Sequence, residues 1–460
     1  MLNKNDEVII DIEDIGSDGE GIGKHEGYTL FVKNALPGDK VRVKVMKTKK
    51  NYGYARLSEV IQASSYRVSP LCDVAGKCGG CSLQHLSYER QLVYKQNKVK
   101  NCLERIGGFK EDITLEPIIG MEEPFYYRNK AQFPVGRNKE GKVVIGFYAG
   151  GTHSIIDTSH CVIQAKGNEA IIEKIRIFLE EYQISTYDEE NHKGLFRHIL
   201  TRAGFVTGEI MVCLIINGDD LPHKEKLIES LIGIPGMTSI SLNSNKAKTN
   251  IILGDKVVTL WGQPFITDYI GEIKYQISPL SFYQVNPRQT KVLYETALDY
   301  AGLHGDEVVW DLYCGIGTIS LFLAGKARQV YGVEIIPQAI DDARQNAKIN
   351  NIENAEFFVG SAEEVLPAKY KEDNIYAEVI VVDPPRKGCE ESLLNTIVEM
   401  APKRVVYVSC DPATLARDLR YLCDRGYQVK KVQAVDQFAH STHTEIVCLI
   451  ERTKVLKFNK

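Results

Sequence analysis

Hydrophobic and polar positions change rhythm twice along the chain. From about residue 275, short and nearly unbroken apolar runs (EVVW, QVYGV, AEFFV, AEVIVV, RVVYVS) alternate with stretches of helical period. Strands apolar on both faces belong in a parallel sheet covered by helices on both sides, so residues 275–460 are expected to form a doubly wound α/β domain. Residues 1–62 read differently: EVIIDIEDI, YTLFVKNAL and DKVRVKVMK alternate apolar with polar between the turn sequences GSDGEGIG and PGD, the pattern of a small β-barrel. Between them, residues 63–274 are mixed α+β. They open with a Lys- and Arg-rich helical segment over 86–108, closed by Gly107 and Gly108, which can pack on the α/β domain. Strand-like KVVIGFYAG, EIMVCLII and MTSISLN follow, with a helix near 166–183.

Charge changes this picture locally. The net charge of −4 does not advertise a nucleic-acid binder, yet Lys40 to Arg56 holds seven basic residues, no acidic one, and Tyr52 and Tyr54. On a barrel this suits a phosphate backbone and stacked bases, and it equally suits a solvated strand edge kept from aggregating by lysines. FYYRNKAQFPVGRNK (125–139) interleaves Arg128, Lys130, Arg137 and Lys139 with Phe125, Tyr126, Tyr127 and Phe133, a second candidate for gripping RNA in which some aromatics must serve the core. No apolar stretch approaches the ~20 residues of a membrane span, and MLNKNDEVII has no signal-peptide core, so a cytoplasmic enzyme is expected. Of the eleven cysteines, Cys72, Cys78 and Cys81 fall within ten residues, which in a reducing compartment reads as a metal site. Thiolates suit zinc and iron–sulfur clusters alike, and the five-residue gap, wide for a zinc knuckle, favours the cluster. The C-x3-C-x2-C spacing usual in radical enzymes is absent.

Ligands of parallel sheets sit at the carboxyl ends of the strands, so the residues there carry the chemistry. EVVW runs into Asp311-Leu-Tyr-Cys-Gly315-Ile-Gly317, whose glycines allow a tight turn close to a ligand. QVYGV ends at Glu334, placed for the hydroxyls of a ribose, and AEFFV leads to Gly360-Ser-Ala-Glu363, a loop for the adenine side. These three fit a nicotinamide dinucleotide or S-adenosylmethionine. Asp383-Pro384-Pro385-Arg386 and Cys410-Asp411-Pro412 at the next two strand ends favour a nucleobase methyltransferase, because an acid on a proline-stiffened turn can hold a base beside the methyl donor.

Carbon 5 of uracil is a poor nucleophile until a thiolate adds to carbon 6, and a base must afterwards take the carbon-5 proton. Three cysteines lie near this edge. Cys314 sits in the glycine loop as a small packed residue, Cys389 follows Arg386-Lys387-Gly388, and Cys410 ends a strand facing the crevice. Cys410 is the expected nucleophile, with neighbouring positive charge required to favour its thiolate. Glu445, just before the strand IVCLI, is the expected base, with His443 second and His440 nearby.

These residues together resemble the bacterial 23S ribosomal RNA (uracil-5-)-methyltransferases, relatives of the tRNA uracil-5-methyltransferase, over nearly the whole chain. Ser281-Phe-Tyr-Gln284-Val-Asn286, DLYCGIGT, Glu334, DPPRKG, VSCDPATLARDL and HTE carry the likeness. The resemblance implies a Rossmann-like S-adenosylmethionine domain in which Gln284, Tyr313, Glu334 and Asp383 bind the donor, Cys410 is the nucleophile and Glu445 the proton acceptor. It makes residues 1–62 an OB-like TRAM barrel that binds RNA. It adds Cys161 to Cys72, Cys78 and Cys81 as ligands of a 4Fe-4S cluster. The tRNA-specific relatives generally lack the barrel and the cluster cysteines, so by analogy the implied partner is 23S ribosomal RNA, with no obligate protein partner. A tRNA uracil-5-methyltransferase is the nearest alternative. A nicotinamide dehydrogenase is opposed by the DPPR and SCDP strand ends, and a non-catalytic RNA-binding assembly factor by the retention of Cys410 and Glu445.

Overall fold

The structure, a computed structural model, describes residues 2–110 and 113–453. The N-terminal alternation closes into a barrel of β1 (Glu7–Ile15), β2 (Gly21–His25), β3 (Tyr28–Lys33), β4 (Lys40–Thr48) and β5 (Tyr52–Gln62), in the order β1-β2-β3-β5-β4. Ile10, Ile12, Leu30, Val32, Val41, Val43 and Val45 fill it, each on the inward phase of its strand. The cysteine-bearing loop then leads into α1 (Tyr88–Arg105), shorter at both ends than the 86–108 segment, and β6 (Thr114–Ile119).

The central region is a seven-stranded sheet. Along the chain it contains β7 (Lys130–Arg137), β8 (Val143–Tyr148), β9 (Ile155–Asp157), α2 (Asn168–Glu181), β10 (Phe196–Ala203), β11 (Ile210–Ile216), α3 (Lys224–Leu231), β12 (Met237–Ser244) and β13 (Lys256–Gly262). The strand order is β13-β12-β11-β10-β7-β8-β9, with the apolar faces of α2 and α3 sharing its core. A hairpin of β14 (Ile266–Ile270) and β15 (Ile273–Ile277) follows and packs into the core of the C-terminal domain.

That domain contains α4 (Pro287–Ala301), β16 (Val308–Leu312), α5 (Thr318–Ala324), β17 (Gln329–Glu334), α6 (Pro337–Ile349), β18 (Ala355–Val359), α7 (Ala362–Lys371), β19 (Val379–Val382), α8 (Glu391–Met400), β20 (Arg404–Ser409), α9 (Pro412–Cys423), β21 (Tyr427–Val435) and β22 (Glu445–Arg452). Its sheet runs β18-β17-β16-β19-β20-β22-β21-β6. The first five strands are parallel, as their unbroken apolar runs predict, and β22 is antiparallel to both neighbours. The order reverses between β16 and β19, and a crevice opens at such a switch point. Separate apolar clusters cover the two faces of the sheet. The edge strand β6, which pairs in parallel with β21, comes from residues that precede the central sheet. Among the described residues no helix is long and apolar enough to cross a membrane.

Helix α1 locks onto this sheet through a charge. Lys95 reads as one of many solvated lysines, yet its side chain is fully buried. Its Nζ donates to Asp436 Oδ1 at 2.5 Å and to the Phe438 carbonyl at 2.9 Å. Tyr88 Oη donates to the other oxygen of Asp436 at 2.8 Å. Removing one partner of a buried ion pair leaves an uncompensated charge in a medium that cannot solvate it. Lys95→Met is therefore expected to lower stability by about 3–5 kcal/mol in chemical unfolding, and Lys95→Met/Asp436→Asn to recover most of that. A single variant as stable as the parent would remove the pair from this role.

Candidate active site

The carboxyl ends of the parallel strands open onto one cavity of about 1340 Å³, and Gln284, Tyr313, Glu334, Asp383, Cys410 and Glu445 all line it. At one end, the turn after β16 holds Gly315 at φ 55° and Gly317 at φ 79°, left-handed values that favour glycine. A Cβ on Gly317 would stand 3.1 Å from Phe357. Tyr313 takes φ 70° despite its side chain, a strain held by packing and by its hydroxyl donating to Glu363 at 2.7 Å. The Glu334 carboxylate accepts from the amides of Gly315 (3.2 Å) and Ile336 (3.0 Å), which fixes its direction. Beneath it, Asp311 accepts from Ser320 Oγ at 2.5 Å, while its other oxygen is buried with no partner among the described residues. Burial, with the Ser320 bond opposing and Asp383 adding, pushes the Asp311 carboxyl up to about 7. Acceptors thus dominate this end. It fits a ligand that brings donors and positive charge, as the ribose hydroxyls, amine and sulfonium of S-adenosylmethionine do.

At the other end stand Asp383, Arg386, Cys410, His443 and Glu445. Cys410 directly precedes the N-cap of α9, where Asp411 accepts from the amides of Ala413 (2.9 Å) and Thr414 (3.0 Å) and Pro412 occupies the first turn. The Arg386 carbonyl accepts from Thr414 Oγ1 at 3.1 Å, which ties the Asp-Pro-Pro-Arg turn to the same helix end. Burial pushes the Cys410 thiol up to about 11, with Glu445 and Asp383 adding and Arg386 pulling it back. Burial and then Asp383 raise Glu445 to about 8, again against Arg386, and burial raises Asp383 to about 6. Arg386 is thus a cation facing Cys410, and the sequence had left it without a role beyond its motif. Burial and then Arg386 lower His443, so its ring favours the neutral form.

Glu445 begins β22 and is reached through a strap, residues 436–444, that contributes Phe438, Ser441 and His443 to the cavity wall. The strap is held by separate parts of the chain. Gln289 Nε2 donates to the Asp436 carbonyl (3.1 Å), Tyr127 Oη to the Ala439 carbonyl (3.0 Å), and the Ser82 and Leu83 amides to the His440 carbonyl (3.0 and 2.9 Å). His440 is a strap residue: it is buried, stacked on Phe125 and bonded to Gln91. Cys314 and Cys389 are buried and do not line the cavity.

Cys72, Cys78, Cys81 and Cys161 line a second cavity of about 350 Å³, together with Arg128 and Lys130. Among the described residues, no group of three or more His, Cys, Asp or Glu stands ready to hold a single metal ion. The two cavities share Gly80 and Arg128 in their walls.

Part of the expected RNA grip at 125–139 is spent on the fold. Tyr127 and Phe133 are core, and Arg137 is bonded to Glu180 and to the Gly141 and Ile184 carbonyls. Lys130 is drawn inside, where burial, then Arg202 and Arg128, lower its ammonium to about 7. Arg128 alone of the four cations lines the large cavity, beside the Phe438 ring.

Comparison with known proteins agrees with this geometry. The profile of the tRNA (Uracil-5-)-methyltransferase family matches residues 87–453, and that of the TRAM domain matches residues 3–58. An uncharacterized RNA methyltransferase of Halalkalibacterium halodurans is 54% identical over 98% of both chains, and one of Bacillus cereus is 51% identical over 98% of both. The crystal structure of the Pyrococcus abyssi tRNA (uracil-54, C5)-methyltransferase in complex with S-adenosyl-L-homocysteine is 29% identical, with a TM-score of 0.77 over 96% of this chain and 100% of that one. With the donor-side acceptors and the cysteine–carboxylate end in one crevice, and a profile match over most of its length, the chain belongs to the S-adenosylmethionine-dependent RNA uracil-5-methyltransferases and carries a TRAM domain at its N-terminus.

Proposed function

We propose that this protein methylates carbon 5 of uridine in 23S ribosomal RNA, in the cytoplasm, through a covalent adduct between Cys410 and carbon 6 of the base. The observation that carries the chemistry is the meeting of Cys410, Arg386, Asp383 and Glu445 at one end of the cavity whose other end holds Glu334 and Tyr313.

S-adenosylmethionine, when bound, supplies the methyl group. Gln284, Tyr313, Glu334 and Asp383 would hold the donor, Glu334 by accepting hydrogen bonds from the ribose. Arg386 favours the Cys410 thiolate, whose Sγ adds to carbon 6 and gives carbon 5 the electron pair that takes the methyl. Glu445 then accepts the carbon-5 proton, the double bond re-forms, and Cys410 leaves as thiolate. A stacked uracil hides these carbons, so the target nucleotide must be extruded into the cavity.

The ribosomal choice rests on the four cysteines around one cavity, since the likeness to the Pyrococcus abyssi tRNA enzyme spans 96% of this chain and so takes in the barrel as well. We propose that Cys72, Cys78, Cys81 and Cys161 hold a 4Fe-4S cluster with a structural and RNA-binding role. Arg128 in that wall suits an assembly of four thiolates that carries net negative charge. A tRNA substrate is the second reading, favoured by the likeness to the Pyrococcus abyssi enzyme over its whole length.

Mapping 5-methyluridine in total RNA with and without the gene is expected to show loss from 23S RNA and unchanged tRNA, and loss confined to tRNA would select the second reading. Cys410→Ala should abolish methylation while radiolabelled S-adenosylmethionine still binds. Glu445→Gln should form the adduct but release it slowly, leaving a covalent complex on denaturing gels. Because the ionised form of Glu445 is the base, the wild-type rate should rise with pH through about 8, and that inflection should vanish in Glu445→Gln. Wild-type yield from this variant would move the role to His443. Anaerobically purified protein should contain iron and sulfide, with loss of both in Cys78→Ala; equimolar zinc without sulfide would refute the cluster.

A further inference from the structure

The reaction cavity has a stretch of wall that the catalytic domain does not supply. Leu253, Gly254 and Asp255 line it, and they belong to the central sheet, at the end of the connection 245–255 between β12 and β13. Surface connections are ordinarily the looser parts of a fold, yet this one is fastened along its length by buried side chains. Arg197 of β10 donates through Nη1 to the Asn245 and Ala247 carbonyls at 2.8 Å each. Asn245 Nδ2 donates to the Ile251 and Ile252 carbonyls at 2.7 and 2.9 Å. Asn243 grips Gly254 from both sides: its Nδ2 donates to the Gly254 carbonyl and its Oδ1 accepts from the Gly254 amide, each at 2.7 Å. A Cβ on Gly254 would stand 2.1 Å from the Ser244 carbonyl oxygen, so only glycine lets the chain pass this close. Arg197, Asn243 and Asn245 are all buried. Ile252 and Leu253 pack in turn against the core of the catalytic domain. The backbone that carries Asp255 is therefore set before any ligand arrives.

What this wall brings to the cavity is a carboxylate without a partner. Asp342 of α6 also lines the cavity, but each of its oxygens is engaged, Oδ2 by Ser281 Oγ at 2.9 Å and Oδ1 by Gln338 Nε2 at 3.2 Å. Asp255 is exposed and has no side-chain hydrogen bond or ion pair among the described residues. S-adenosylmethionine carries three kinds of group that call for an acceptor: the ribose hydroxyls, the adenine amine and the α-ammonium of its methionine part. Glu334 stands ready for the first and the loop Gly360–Glu363 for the second. The α-ammonium is left, and as a full charge it is matched best by an ionised carboxylate.

We propose that Asp255 binds the α-ammonium of S-adenosylmethionine, so that the central sheet supplies part of the donor site. The inference rests on the S-adenosylmethionine reading of the cavity and adds to it a donor-binding residue from another domain. Because the connection is already fixed, the contact costs little further ordering of the chain. The α-ammonium takes no part in the reaction and is the same in S-adenosylmethionine and in S-adenosylhomocysteine. A contact there is made equally before, during and after methyl transfer, so it lowers KM for the donor without raising kcat.

The test titrates the full chain with S-adenosylhomocysteine and with 5′-methylthioadenosine, which keeps the adenosine and the thioether but lacks the ammonium and the carboxylate. Asp255→Ala should weaken S-adenosylhomocysteine by about 10- to 100-fold, the range of a hydrogen bond to a charged group. The same variant should bind 5′-methylthioadenosine as wild type does and melt at the wild-type temperature, which separates loss of the contact from loss of the fold. Asp255→Glu should restore most of the affinity for S-adenosylhomocysteine. In turnover with saturating RNA, Asp255→Ala should raise KM for S-adenosylmethionine by a similar factor and leave kcat in place. Unchanged affinity for S-adenosylhomocysteine in Asp255→Ala, or equal weakening of both ligands, would overturn the inference alone. Wild-type protein that binds neither ligand would overturn the reading of the cavity and the inference with it.

Discussion

A fully buried ion pair between a helix and a strap organises this molecule. Lys95 and Asp436 lie 341 residues apart in sequence, and neither can be solvated where it stands. Each is tolerable only with the other in place, which makes the position of the strap an electrostatic necessity. Hydrogen bonds then multiply around it: Tyr88 and Gln91 from α1, Gln289 from α4, Tyr127 from the central region and the backbone after Cys81 all converge on residues 436–440. The strap leads into Glu445, so the direction of that carboxylate is inherited from contacts made far from it along the chain. Pre-organisation of this kind is what a reaction that depends on relative placement of thiol, base and methyl donor requires.

The electrostatics of the cavity follow from the same enclosure. Asp311, Asp383 and Glu445 are all pushed upward, chiefly by burial, and Arg386 is the cation that opposes the rise at Glu445 and Cys410. In the proposed mechanism one arginine therefore acts on two groups with opposite duties, a thiol that must ionise and a carboxyl that must take a proton later. Its carbonyl is fastened to α9 by Thr414, so Cys410 and its counter-charge share one rigid mount.

The parallel half of the catalytic sheet was legible because buried parallel strands leave unbroken apolar runs, and because the ends of those runs carry Asp311, Glu334, Asp383 and Cys410 in plain view. Asp411-Pro412, read in the sequence only as a strand end, also caps α9. What stayed hidden depends on partners distant in sequence. Strand β10, FRHILTRA, reads as polar, yet Arg197, His198 and Arg202 are buried; Arg197 is met by the carbonyls of Asn245 and Ala247 and Arg202 by that of Ser281. Lys95 looks like one more solvated lysine in α1 until Asp436 is seen opposite. The stretch 125–139 is legible only in part for the same reason, since a pattern of rings and charges does not reveal which of them face inward.

The edge strand β6 has a consequence for how the protein is made. It is complete at Ile119, whereas its partner β21 begins at Tyr427, with the whole central sheet between them. Synthesis at ~5–20 residues per second places these two events roughly 15–60 s apart. Throughout that interval α1 and β6 have left the ribosome without the surface that covers them, their lysine-rich face and unpaired strand edge open to water and to other chains. Of the two charges that later form the internal lock only Lys95 exists in that interval, so the catalytic unit closes only when its first-made and last-made pieces meet.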